Sequence, residues 1–245
     1  MEYRNFQLDK EWNVVHYPAQ PTGFGILIIG DERNFVEKDH SFWTQNEGKL
    51  ALLNHLKEVG YTVFYSNLYG ENWGSDQAAK LAKQLYENMI RNEILNGKIH
   101  LLAEGMGALV AMKLVAEMPD KLRSIVLINP ILSLENKLNY EKDQKFFYKK
   151  FIREFALAYD LSWKEVENHI QHHAAKIKFT QDIPIKIIRI LTRNHSYRET
   201  SYLSEWSAQL KQEGKTISIS YVLPEKMQQL NQSLVSFIKS YEHTL

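Results

Sequence analysis

The chain has no cysteine, which excludes disulfides, thiol catalysis and thiolate metal sites. It has no excess of either charge: 30 basic and 29 acidic residues leave a net charge of +1. Nucleic-acid binding through phosphate contacts needs a clustered positive surface, so that class is not expected. Long apolar runs are missing too. The longest, such as Gly23 to Gly30, fall far short of the ~20 residues that cross a bilayer. Met1 to Lys10 is polar and lacks the apolar centre of a signal peptide, so a cytoplasmic location with no membrane span is expected. Internal repeats and low-complexity tracts are absent. What is present is ordinary: 245 residues, 44% hydrophobic and 24% charged. That is enough for one α/β domain with a sizeable core and an inserted subdomain.

Tyr3 to Leu8 and Trp12 to Tyr17 alternate and read as two antiparallel strands. Phe24 to Ile29 is almost wholly apolar and suits a strand buried on both faces. Asp31 to Gln45 reads as a charged loop. A helix follows to Val59, with Leu50, Leu52, Leu53 and Leu56 on its apolar side and Gly60 to end it. Tyr61 to Tyr65 is a strand, and Ser75 or Asp76 caps a helix to about Leu95. A further strand, turn and helix run from Lys98 to Met118, and Leu122 to Ile128 is another buried strand. No strand pattern then appears until about Thr180; instead Phe147, Phe151, Phe155 and Tyr159 recur at helical spacing. Strands return at Ile183 to Leu191 and Thr216 to Leu223, each followed by a helix. Alternating strands and helices imply an α/β fold: a mostly parallel sheet with helices on both faces. The expected division is a core of residues 1–131 and 181–245 and a helical cap of residues 132–180.

The most informative stretch runs from Lys98 to Met112. It is a buried strand, a very tight turn and a helix, with Ala103, Glu104, Gly105, Met106 and Gly107 at the turn. That setting is similar to the nucleophile elbow, Gly-x-Ser-x-Gly. Asn67-Leu68-Tyr69-Gly70-Glu71-Asn72-Trp73-Gly74-Ser75 sits where an Asp-Leu-x-Gly-x-Gly-x-Ser-like loop follows the fourth strand. With the strand order, these features resemble the α/β-hydrolase superfamily, in its capped esterase and monoacylglycerol-lipase-like branch. The resemblance implies an α/β-hydrolase fold and marks four positions at which to look for chemistry.

All four depart from the family pattern. The nucleophile position is Gly105, which has no side chain. The oxyanion segment is Ile29-Gly30-Asp31-Glu32, with two carboxylates where an anion would need stabilising. The acid position falls on Asn194 or His195, and asparagine cannot stabilise a charged imidazole as a carboxylate does. The loop expected to carry the histidine runs from Leu223 through Met227 to Gln229 and holds none. Gly105, Asn194, His195 and Met227 therefore read as degenerate catalytic positions.

The expected function is non-catalytic binding of a small apolar ligand or a protein partner. Gly30, Asp31, Glu104, Met106, Phe147 and Phe151 are the expected ligand-lining residues. The alternative is an ester or acyl hydrolase working through a displaced, non-serine constellation drawn from Glu104, Asp31, His40 and His195. No cofactor is expected. His169, His172 and His173 share a helix, but nothing nearby marks a third metal ligand and second shell, so no metal is expected. Lys145, Lys149, Lys150 and Arg153 form a basic run that reads as a solvated helix face.

Overall fold

The structure, a computed structural model, describes residues 2–172, 181–191 and 197–242, with backbone alone for 197–201 and 227–228. Eight strands form one sheet: β1 (Tyr3–Leu8), β2 (Glu11–His16), β3 (Gly25–Ile29), β4 (Thr62–Ser66), β5 (Ile99–Glu104), β6 (Leu122–Ile128), β7 (Ile185–Ile190) and β8 (Ile217–Val222). Their spatial order is β1-β2-β4-β3-β5-β6-β7-β8. β2 is antiparallel to β1 and β4, and the other pairings are parallel. The fold class is the expected one.

The helices are α1 (Phe42–Gln45), α2 (Glu47–Val59), α3 (Asp76–Asn92), α4 (Gly107–Glu117), α5 (Leu134–Gln144), α6 (Tyr148–Ala158), α7 (Val166–His172), α8 (Tyr197–Gln212) and α9 (Met227–Lys239). Alternation along the strands divides them between two faces. Leu27, Ile29, Leu101, Ala103, Ile125 and Leu127 pack with α3, α4 and α8. Ile26, Ile28, Leu102, Val126 and Ile188 pack with α2 and α9. Being buried on both sides, β3 reads as a continuous apolar run, and β5 and β6 as mostly apolar ones broken by His100 and Glu104 and by Arg123 and Ser124, rather than as alternating strands.

Three details differ from the expectations. The segment 31–45 is not all loop: Ser41 and Thr44 form a reciprocal cap and start the single turn of α1, whose Trp43 is fully buried. Leu50 is exposed rather than on the apolar side of α2. The buried stripe is Leu52, Leu53 and Leu56, and one turn back it falls on Lys49. The third helix stops at Asn92, because Glu93 is already extended. Between β6 and β7 the described residues hold only helix and turn: α5, α6 and α7, which form a separate buried cluster with Trp73 and Met106.

Candidate functional site

The site is at the C-terminal end of β5, the usual place for function in an open α/β sheet. β5 runs straight into α4 through Gly105 and Met106. Gly105 has φ +48°, a left-handed conformation that glycine adopts without strain. Gly107 serves a different need. A Cβ there would overlap the carbonyl oxygens of Ile29 and Gly30, the latter at 2.6 Å. The small residue lets α4 begin against the end of β3, and Gly30 supplies part of that contact surface.

Asp31 leaves β3 and turns at once, its carbonyl accepting the N–H of Asn34 at 2.8 Å. Asn34 is itself tied to the carbonyl of Ser66 at 3.1 Å. This turn aims the Asp31 side chain over the elbow. Its Oδ1 accepts the Met106 N–H at 2.9 Å. A Cβ built on Gly105 would fall inside all three atoms of the Asp31 carboxyl group. Asp31 therefore stands where a nucleophile's side chain would begin. It also takes the backbone N–H after the nucleophile position, which in a hydrolase elbow forms half of the oxyanion hole.

Glu104 points elsewhere. Alternation along β5 sends it to the α2 face, where it is buried and ion-paired with Lys49. The Lys49 ammonium also lies 5.1 Å from the Trp43 ring, a cation–π placement. A lysine on the buried stripe of α2 was the signal for this pair, and sequence reasoning missed it.

Above the elbow, Met106 is buried in the α5–α7 cluster. Trp73 meets Phe151 edge-on at 4.7 Å, and its Nε1 donates to Glu154 at 3.1 Å. Burial raises the Glu154 pKa, and Lys150 opposes the shift. Lys150 bridges Glu154 at 3.3 Å and Glu32 at 3.0 Å, fastening α6 to the turn that carries Asp31. Trp73 was also missed as a site residue, although its loop had been singled out.

Phe147 departs from expectation. It precedes α6 and is 54% exposed, with its ring edge-on to Phe146 at 4.7 Å. It lies outside the cluster that holds Phe151 and Phe155. His40 is on the surface, bonded to Asp39 at 2.7 Å and near Glu37, and these partners raise its pKa. His169 packs on Tyr159, and His172 bonds the Asn168 carbonyl. His173, Asn194 and His195 lie outside the described residues, as does the Met227 side chain. Among the described residues no group of three His, Asp or Glu side chains could hold a metal. No helix there is long and apolar enough to cross a membrane.

Two cavities stand out. One, of about 620 Å³, lies at the opposite end of the sheet between Lys98, Arg123 and Asp182. The other, of about 170 Å³, opens between Tyr69 and the outer end of α6. Neither is lined by Gly105, Asp31 or Met106.

The comparisons with known proteins agree with this frame. The family model of the alpha/beta hydrolase fold matches residues 39–237. No curated protein matches by sequence. Among solved structures, Est1E from Butyrivibrio proteoclasticus is similar over all of both chains, with TM-score 0.65 and 11% identity. The epoxide hydrolase VrEH1 from Vigna radiata covers 98% of each chain, with TM-score 0.58 and 13% identity. The acylaminoacyl peptidase of Pyrococcus horikoshii matches all of this chain through 42% of its own length, with TM-score 0.69 and 14% identity. At such identities these likenesses are of fold alone. With the sheet order, the elbow and the family match in place, the chain belongs to the α/β-hydrolase fold family.

Proposed function

We propose that the protein is a non-catalytic member of this family, which keeps the hydrolase frame and acts by binding rather than by turnover. The observation that carries this reading is the Asp31 carboxylate seated on Gly105 and bonded to the Met106 N–H. A hydrolase needs that N–H free for the oxyanion, and a carboxylate in its place repels the developing charge. We read α5–α7 as the cap, and its contacts support the same conclusion. Met106, Trp73 and Phe151 pack together over the elbow, where a small apolar ligand would otherwise sit. Among the described residues the two cavities that stand out lie away from the elbow, which favours binding at the surface.

The competing reading is ester or acyl hydrolysis with Asp31 as the attacking group. The position of its carboxylate favours that reading. Its engagement with Met106 weighs against it, because one group would have to attack and vacate the oxyanion hole together.

A panel of p-nitrophenyl acyl esters separates the two. No turnover above buffer is expected. Turnover that survives purification and disappears in D31N or E104Q would overturn the non-catalytic reading. Thermal-shift measurements with fatty acids test the small-ligand alternative, since a ligand at 100 times its Kd stabilises by about 2.7 kcal/mol. No shift is expected; a shift abolished by substituting Phe151 would restore a ligand site under the cap.

A further inference from the structure

The turn between α5 and α6 is unusual in what it leaves in water. Phe146 is 83% exposed and Phe147 54% exposed. They are adjacent, at the tip of a helical hairpin. α5 ends at Lys145, which takes a left-handed conformation at φ +61° and donates its N–H to the Glu141 carbonyl. This sharp stop throws the two rings outward instead of letting them continue the helix. α6 then buries Phe151, Ile152, Phe155 and Ala156, so its opposite face is open. Lys149, Arg153 and Leu157 follow one another at four-residue spacing along that face, and Leu157 is 78% exposed. The row is about 12 Å long at 1.5 Å per residue. Together these residues make one apolar tip and one basic edge ending in an exposed leucine.

The charges are one-sided. Residues 142–153 hold Lys142, Lys145, Lys149, Lys150 and Arg153 against one acidic residue, Asp143. Lys142 is paired with Glu167, and Lys150 with Glu32 and Glu154. Glu141 is buried and paired with Lys137. Lys145, Lys149 and Arg153 make no ion pair among the described residues and are exposed. The overall charge of +1 conceals this local excess.

We propose that this hairpin tip docks the protein on an anionic lipid surface. Phe146 and Phe147 would enter the boundary between headgroups and acyl chains, and Lys145, Lys149 and Arg153 would meet the acidic headgroups. Aromatic side chains prefer that boundary, and basic residues beside it add electrostatic attraction. The shape favours a fluid surface over a folded partner. A convex tip of two rings offers far less than the ~800 Å² per side of a stable protein interface. The rings also pack edge to face at 4.7 Å, which leaves no slot between them for a nucleobase. Glu32 and Glu154 share the single cation of Lys150, so one carboxylate is left against the three cations Lys145, Lys149 and Arg153. This inference does not depend on whether the elbow is catalytic.

Co-sedimentation of the full chain with vesicles tests it. Binding is expected to vesicles of phosphatidylcholine mixed with phosphatidylserine, to weaken with added salt, and to be much lower on phosphatidylcholine alone. F146S/F147S should lower partitioning by roughly tenfold per ring. K145Q/K149Q should lower it by about fivefold per charge. Both pairs are exposed, so urea midpoints should match the wild type and show that the variants are folded. Absence of binding to the mixed vesicles at low salt overturns the proposal. So does binding that both variant pairs leave intact. Self-association, or retention of single-stranded nucleic acid, that is lost with Phe146 and Phe147 in place of vesicle binding would also overturn it.

Discussion

Substituting Gly105 by alanine should destabilise the protein mainly through Asp31, and a double-mutant cycle can separate that effect from backbone strain. At φ +48° alanine bears a left-handed penalty of about 1 kcal/mol. Its Cβ also cannot coexist with the Asp31 carboxyl group, so the carboxylate must rotate away. It then loses the 2.9 Å hydrogen bond from the Met106 N–H. Hydrogen bonds to charged groups contribute about 1.5–3 kcal/mol, so G105A should cost about 3 kcal/mol in total. For a chain of this size that is a fall in Tm of about 6–12 °C. D31A alone loses the same bond and should cost about 2 kcal/mol. In the D31A background the obstruction is gone, and G105A should cost only its backbone strain of about 1 kcal/mol. Urea denaturation of the wild type, both single variants and the double variant should give a coupling near 2 kcal/mol. Costs that add to within ~0.5 kcal/mol would refute the claim that these two residues are matched to each other.

Other consequences are separate. G107A places its Cβ against backbone oxygens of β3 and the residue after it, which cannot rotate aside; a loss of ~3 kcal/mol or failure to fold is expected by circular dichroism and urea melting. K49M should cost roughly 2 kcal/mol, because Glu104 is left buried and unpaired. The figure is below that for a fully buried pair because Lys49 is partly exposed. K49M/E104L should recover much of that loss in the same urea assay. His16 and His100 set a pH dependence: burial, aided by Lys57 and Arg123 respectively, lowers their pKa values to about 4 and about 3. Both titrate near 6.5 when unfolded, so below that pH the unfolded chain binds more protons than the native one. Stability should therefore fall as pH drops from about 6.5 towards 4, by up to ~1.4 kcal/mol per unit for each histidine. Urea midpoints in this window should flatten in H100F, and an unchanged slope would refute the assignment.

Strand and helix periodicity placed all eight strands and most of the helices, α1 and α5 excepted. β3 is apolar throughout and β5 and β6 are largely so, broken only by His100, Glu104, Arg123 and Ser124, because both faces of these strands are covered, and α2 and α3 are bounded by Asn46, Gly60 and Ser75. Gly105 was legible as the centre of a tight strand-to-helix turn because a turn that joins a buried strand to a helix so abruptly leaves few choices of residue. Side chains that act across the fold were harder to read. Asp31 is 74 positions from Gly105 along the chain, and nothing local indicates that its carboxylate fills the space a nucleophile would use. Lys49 and Glu104 are likewise linked only by the crossing of α2 over β5. The spacing of Phe147 from Phe151 is helical, but the left-handed Lys145 ends α5 and α6 begins only at Tyr148, so Phe147 stands outside α6.

The sequence by itself determined the α/β architecture and put a glycine, Gly105, at the elbow, because periodicity and residue type are properties of short stretches. The tertiary structure alone decided what lies over that glycine. It brought the turn after β3 over the end of β5, and a carboxylate there is compatible only with a residue that has no Cβ.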